Sequence, residues 1–415
     1  MKICLLWRRY GPHHRARLRA FAEVCSDGGA QLIGVEVANQ GGEHGWQGTE
    51  GSHHPVVTMF PGQTLESLGR REVFSTTRRL LNRINPQAVV VPAYSKPESQ
   101  SALVWARDRR RVAIVMTQSR HEDVGRSAIR ERVKRAIVSQ FDAALAGGSP
   151  QSRYIEALGI PRDRIFTPYA AVDNKFFAKA AANARTDPSV HRHLPGLQSP
   201  TPFFLTSGRF IQRKNFARLL EAYDNYVRIH RSSRPWRLVL LGDGPERRKL
   251  VDLARRSVAC DAITFAGYHQ ADEVAVYYGL ASAFIHPPIV DQWGLVVNEA
   301  MAAGLPVLVS TGAGAAEDLV QDGVNGFRFD PSAAGALAEA MSRISRPEAG
   351  LTQMSRRSRE LVDSWAPQRF ADGLWQAVSA AAVSADRGMP LGVRTLIFGN
   401  QVIPRALLGW RSVEE

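Results

Sequence analysis

Apolar residues in this chain come in two alternating patterns. Short continuous runs fall at Ile3–Trp7, Gln31–Val37, Ala88–Pro92, Val112–Met116, Ala143–Ala146 and Ile165–Thr167. Between them, at His14–Cys25, Leu65–Leu81, Ser99–Arg109, Ser127–Ser139 and Gln151–Leu158, apolar positions recur every three to four residues. The runs predict strands and the periodic stretches helices. A β-α-β-α rhythm folds as a parallel sheet covered by helices, and strands buried on both faces read as unbroken apolar runs. The stretch 181–200, rich in Ala, Asn, Asp, Pro, His and Gly, interrupts the rhythm and reads as a linker. The alternation then restarts. Strands are predicted at Phe203–Ser207, Arg237–Leu241, Ile263–Phe265, Ala283–His286 and Val307–Ser310. Helices are predicted at Phe216–His230, Pro245–Arg256, Asp272–Leu280, Leu295–Ala303 and Ser332–Ile344, followed by Gly350–Asp363 and Pro367–Ala382.

The expected fold class is therefore α/β: two Rossmann-like parallel α/β/α domains facing a central cleft, residues 1–180 and 201–365. The remaining residues, 366–415, would pack back on the first domain, with a short helix near Val402–Leu408. Ligands of such sheets sit beyond the carboxyl ends of the strands, so the loops there carry the chemistry.

Composition narrows the setting. Three cysteines, Cys4, Cys25 and Cys260, are widely spaced and make neither a disulfide framework nor a zinc site. Met1–Trp7 is too short for a signal peptide, and no apolar run approaches the roughly 20 residues that span a bilayer, so a cytoplasmic protein is expected. The net charge of +14 is concentrated in residues 1–200, which hold 29 Lys and Arg against 17 Asp and Glu. Such a field favours an anionic partner, whether nucleic acid, an acidic membrane leaflet or a phosphate-bearing substrate; the same arginines also serve as a solubilising surface. A nucleic-acid binder would interleave surface aromatics or carry a recognised module, and the sequence has neither.

Two segments carry candidate chemistry. Ser207-Gly208-Arg209-Phe210-Ile211-Gln212-Arg213-Lys214-Asn215 follows a strand and opens a helix. Gly208 permits a tight turn, and Arg209 and Lys214 supply two cations beside a helix N-terminus, which suits a diphosphate. Two exposed basic residues at a helix start would look the same. In the second segment, from Asp291 to Pro306, two carboxylates stand eight apart, Asp291 in a loop and Glu299 within a helix ended by Gly304. Glu299 is suited to accept both hydroxyls of a ribose, and Asp291 the hydroxyls of a sugar. Equally, Glu299 reads as a solvated helix carboxylate and Asp291 as an acid favourable to a helix N-terminus.

The run of an acid, seven residues and Glu299, then Ala300-Met301-Ala302-Ala303-Gly304-Leu305-Pro306-Val307, resembles the donor-site signature of retaining, family-4-type (group 1) glycosyltransferases of the GT-B fold. Leu241-Gly242-Asp243-Gly244-Pro245, Phe265-Ala266-Gly267-Tyr268, Gly312 to Asp318 and Asn325-Gly326-Phe327 follow in the family's order, so the resemblance covers about Pro202–Pro331. Two positions depart from it: Asp291 stands where the family usually has Glu, and Asn215 where its loop often has Gly. The resemblance implies a sugar transferred from a nucleotide-sugar to a hydroxyl of a saccharide or lipid-linked acceptor. It further implies retention of configuration, no metal or other cofactor, and a place in polysaccharide or glycoconjugate biosynthesis; the basic charge of the first half connects it with anionic lipid-linked acceptors at the inner face of a membrane. It sets the donor against Gly208, Arg209, Lys214, Gly267, Tyr268, Asp291, Trp293, Gly294, Leu295 and Glu299, with Arg209, Lys214 and Asp291 as the catalytic group.

On the acceptor side the candidates are Gly11, where the backbone would approach closely, with His14, Tyr94, His121 and Asp123. For His121 and Asp123 a solvated loop capping the next helix is the alternative. Two other functions fit less well. A nucleotide-sugar epimerase shares the donor chemistry, and an anion- or nucleic-acid-binding protein would use the basic first half.

Overall fold

A computed structural model describes residues 1–40, 54–123, 127–187, 189, 193–198, 201–230, 234–382 and 388–402. The chain forms two units. One is Met1–Ala171 with the described residues from Pro367 onward, the other Val172–Ala366.

The first unit alternates β1 (Lys2–Trp7), α1 (Pro12–Asp27), β2 (Gln31–Gln40), β3 (Val56–Thr64), α2 (Arg70–Ile84), β4 (Ala88–Pro92), α3 (Pro97–Asp108), β5 (Val112–Thr117), α4 (Ala128–Val138), β6 (Ala143–Ala146), α5 (Ser149–Ala157) and β7 (Ile165–Phe166). All strand pairs are parallel, in the order β3-β2-β1-β4-β5-β6-β7. The second unit contains α6 (Asn174–Thr186), β8 (Phe203–Ser207), α7 (Phe216–Ile229), β9 (Arg237–Leu241), α8 (Arg247–Arg255), β10 (Ile263–Gly267), α9 (Ala271–Leu280), β11 (Ala283–His286), α10 (Leu295–Ala302), β12 (Val307–Ser310), α11 (Ala315–Leu319), β13 (Gly326–Phe329), α12 (Ala334–Ile344) and α13 (Leu351–Val362). Its sheet is also parallel, ordered β10-β9-β8-β11-β12-β13. The chain then returns to the first unit as α14 (Pro367–Ala382) and α15 (Leu391–Val402). Phe370, Ala371, Leu374, Ala377, Val378 and Ala381 of α14 are fully buried in the core around β1, β5 and β6.

Several elements differ from the periodicity reading. β3 is an edge strand carrying Pro61 and Gly62, residues that weaken a strand signal and are tolerated where one side of the ladder is open. α2 begins at Arg70 because Gly69 is its cap and Leu65–Ser67 forms a separate 3-10 turn. The stretch expected to be linker begins inside α6. Asp173 starts that helix by accepting the Phe176 N–H at 3.1 Å, and α6 packs on α9 so closely that a Cβ on Gly279 would stand 2.8 Å from the Ala181 backbone. Of the short helix expected near Val402–Leu408, residues 403–408 lie outside the described residues.

Candidate functional site

In the second sheet the strand order reverses between β8 and β11. Loops leaving those two strands run to opposite sides, and the crevice between them is where parallel sheets take ligands. The first loop is the Gly208–Asn215 segment, the second runs from Pro287 to Gly294. They meet. Lys214 Nζ donates to Asp291 Oδ2 at 2.6 Å, and His286 Nε2, at the end of β11, reaches the same oxygen at 2.9 Å. The Ile289 N–H donates to the Arg213 carbonyl at 2.8 Å, so backbone also joins the loops. The Asp291 backbone is held on its other side by the loop after β12: its N–H donates to Gly312, and its carbonyl accepts from Gly314, both at 3.0 Å.

Glycine makes this close approach feasible. Gly242 sits at φ +122°, and a Cβ there would fall 2.0 Å from the Gly208 carbonyl oxygen. Gly294 caps α10 at φ +99°, and a Cβ would fall 2.6 Å from His286 Nε2. Asn215, in the family's glycine position, adopts φ +63°, the left-handed region that Asn tolerates best after Gly, and its side-chain amide donates to the Pro331 carbonyl at 2.9 Å.

The electrostatics follow from burial and pairing. Burial alone would raise the Asp291 carboxyl, but the Lys214 ammonium and the His286 hydrogen bond outweigh it and hold Asp291 well below the carboxylate range. Burial lowers the His286 imidazole, against the pull of Asp291, so it is neutral near pH 7 and donates through Nε2–H. Glu299 of α10 is 6% exposed and accepts the Tyr278 hydroxyl of α9 at 2.9 Å. Burial, then the Glu299 charge, pushes the Tyr278 phenol well up and keeps it a donor.

Other residues of the donor group divide. Gly208 and Arg209 open the first loop, and the half-buried Arg209 turns it by accepting the Ile211 N–H at 2.9 Å. Gly267 ends β10 and accepts the Gly242 N–H at 2.7 Å; Tyr268 beside it is exposed. Leu295 is the half-buried first residue of α10. Trp293 does not present its ring to a ligand. The indole is 1% exposed, donates to Asn298 Oδ1 at 2.8 Å and stacks on Trp365 at 6.0 Å.

In the first unit the acceptor candidates make contacts within the chain. The Gly11 N–H donates to His14 Nδ1 at 3.2 Å, closing the first turn of α1, and the His14 ring lies 4.9 Å from that of Trp7. Burial, helped by Arg17 and His13, lowers His14 well below 6.5 and leaves Nδ1 free of a proton to accept that bond. A Cβ on Gly11 would meet only His14 Nδ1 at 3.7 Å, so packing within the chain does not demand glycine there. Tyr94 is 5% exposed and belongs to the core. Asp123 is engaged through both oxygens by Arg120, whose backbone N–H donates at 2.7 Å and whose Nε donates at 3.0 Å. Exposed His121 stands edge-on to Tyr154 at 6.1 Å. The motif reading overlooked His286 and Tyr278. His286 had a signal, a polar residue closing an apolar strand; Tyr278, one of two adjacent tyrosines in an apolar helix, had none.

Residues 191–361 match the family profile described as "Glycosyl transferases group 1". The lipopolysaccharide core biosynthesis glycosyltransferase LpsE of Rhizobium meliloti is 29% identical over 43% of this chain and half of that protein's length. A GDP-mannose-dependent alpha-(1-6)-phosphatidylinositol monomannoside mannosyltransferase of Mycobacterium tuberculosis is 27% identical over 80% of this chain and 81% of its own. The Anabaena protein HepE, solved in complex with UDP and glucose, superposes with a TM-score of 0.67 at 18% identity, over 92% of this chain and all of that one. The segment that matches this family, residues 191–361, is the one that builds the Lys214–Asp291–His286 cluster.

Proposed function

We propose that the protein transfers a sugar from a nucleotide-sugar donor to a hydroxyl of a saccharide or lipid-linked acceptor in glycoconjugate biosynthesis. The observation that carries this reading is the meeting of the two switch-point loops at Lys214 and Asp291. On this reading the ribose lies on Glu299, held in place by Tyr278. Lys214 and Arg209 meet the negative charge that grows on the departing diphosphate, so that no metal is required. Asp291 receives sugar hydroxyls, and its second partner, His286, keeps the carboxylate in place when Lys214 turns to the diphosphate. Retention of configuration rests on the family resemblance. A lipid-linked acceptor is supported by the Mycobacterium relative, named for a phosphatidylinositol mannoside, and by the basic first half. Arg70, Arg71, Arg78, Arg79 and Arg83 all lie on α2, which suits an anionic membrane surface on the cytoplasmic side. Among the described residues no helix is long and apolar enough to cross a membrane.

The test is nucleoside diphosphate release from a panel of UDP-, GDP-, ADP- and dTDP-sugars. Slow release from donors of one base supports the reading. Release from none of them, with or without added glycolipid, counts against it.

A further inference from the structure

The last described element, α15, packs on α2, α3 and α4 of the first unit. Side chains along its length anchor it. Ile397 is fully buried in the core, and the Phe398 ring lies 5.5 Å from that of Phe74 on α2. The Asn400 and Gln401 amides both donate to Gln100 Oε1 of α3, at 3.1 and 2.7 Å, and Arg70 Nε of α2 donates to the Asn400 carbonyl at 3.3 Å. Arg394 pairs with Asp108 at the end of α3.

The face that α15 turns to solvent is uncharged, although the chain carries a net charge of +14. Leu391 is 78% exposed, Leu396 and Phe398 are 42% exposed each, and the other exposed positions are Gly392 and Thr395. Arg394, the one ionisable residue of the helix, is half-buried in its ion pair. An apolar helix face is costly in water unless something covers it. The neighbouring helices indicate what does. α2 carries five arginines against one acid, Glu72, and α4 carries four cations against one acid, Glu131. Arg71, Arg79 and Arg83 of α2 and Arg132 and Arg135 of α4 are exposed. A second copy of the chain would bring the same cations to this border, and like charges would repel. A bilayer with anionic lipid supplies phosphates to the arginines and an acyl boundary to the leucines together.

We infer that α15 is a membrane-docking helix, lying in the plane of an anionic bilayer surface with Leu391, Leu396 and Phe398 at the acyl boundary while arginines of α2 and α4 bind lipid phosphates beside it. That the same surface presents the acceptor rests on the transfer reading above. Arginines alone would give binding that salt abolishes, whereas an inserted apolar face leaves a part that salt does not remove. Co-sedimentation of the full chain with vesicles of phosphatidylcholine, alone or mixed equally with phosphatidylglycerol, distinguishes the two. Mixed vesicles should bind the chain and neutral ones far less, and raised salt should weaken that binding without abolishing it. Leu391→Ser combined with Leu396→Ser should weaken binding to mixed vesicles by about ten-fold or more and leave only a salt-labile remainder. Both side chains are exposed, so the melting midpoint should hold; Leu391→Ser alone, at the most exposed position, carries the test if the pair folds poorly. No binding to mixed vesicles, or equal binding by the variants and the unsubstituted chain, overturns the inference. Loss of a dimer in the variants, seen by sedimentation velocity, would assign the face to a second copy and overturn it as well. Nucleoside diphosphate release on the same samples separates this inference from the transfer reading. Vesicle binding without release from any donor sinks that reading and leaves the docking helix standing, and release without vesicle binding does the reverse.

Discussion

Single residues in this molecule owe their chemistry to what surrounds them. Burial alone would raise the Asp291 carboxyl, but Lys214 and His286 hold it ionised far below neutral pH. It therefore stays charged wherever the protein is folded, and pH sensitivity near neutrality falls to the buried histidines. Burial lowers both His14 and His286 below their ordinary value of 6.5. The unfolded chain then binds more protons than the folded one once the pH drops below that value, so stability falls as pH falls. The melting midpoint should drop between about pH 7 and pH 5, and His14→Gln should make the slope shallower; a flat profile in the unsubstituted chain would contradict this. Residue identity was legible in the motif around Asp291 and Glu299, because carboxylates in an apolar, Gly-bounded segment stand out. The partners were not. His286 lies five residues upstream of Asp291, and Tyr278 reaches Glu299 from another helix, and only the fold brings them together. The burial of the Trp293 ring was illegible for the same reason: its acceptor, Asn298, and its stacking partner, Trp365, are matters of packing.

Among the elements, α10 and the loop before it do the positioning. Gly294 lets the chain turn with its backbone against His286, so Gly294→Ala should push His286 off Asp291 and strain a left-handed position at a cost of about 1–2 kcal/mol. We expect a lower melting midpoint together with weaker nucleotide binding, and a variant with unchanged binding would show that the His286–Asp291 contact is dispensable. The same scale explains which elements the sequence revealed. Central strands such as β5 and β11 are buried along their whole length, which leaves an unbroken apolar signature. The outer strands β3 and β13 carry Gly62, Arg328 and other interruptions, and so were not read as strands. α6 hid in an Ala- and Asn-rich stretch whose composition suggests a linker, although its alanines are small because α9 lies against them.

The whole molecule is discontinuous in sequence: α14 leaves the second unit and completes the core of the first. It follows that Val172–Ala366, one uninterrupted segment with its own core, should fold as an isolated fragment and melt cooperatively. A chain truncated after Ala366 should lose the cooperative transition of the first unit, because Phe370, Leu374 and Val378 leave a core they fill. Scanning calorimetry of both pieces checks this, and a truncated chain with two intact transitions would disprove it. The two-domain α/β reading was accessible from the β-α alternation alone, whereas the return of α14 depends on long-range packing that periodicity does not encode.

The central claim is that the second unit holds a nucleoside diphosphate at its switch point, between Arg209 and Lys214 on one loop and Glu299 on α10. Calorimetric titration of UDP, GDP, ADP and dTDP into the unsubstituted chain, Glu299→Ala and Arg209→Ala tests it most directly. The account predicts that one nucleotide binds with Kd on the order of micromolar and that each substitution weakens it by about ten-fold or more. Binding that ignores both substitutions, or no binding by any of the four, would contradict it.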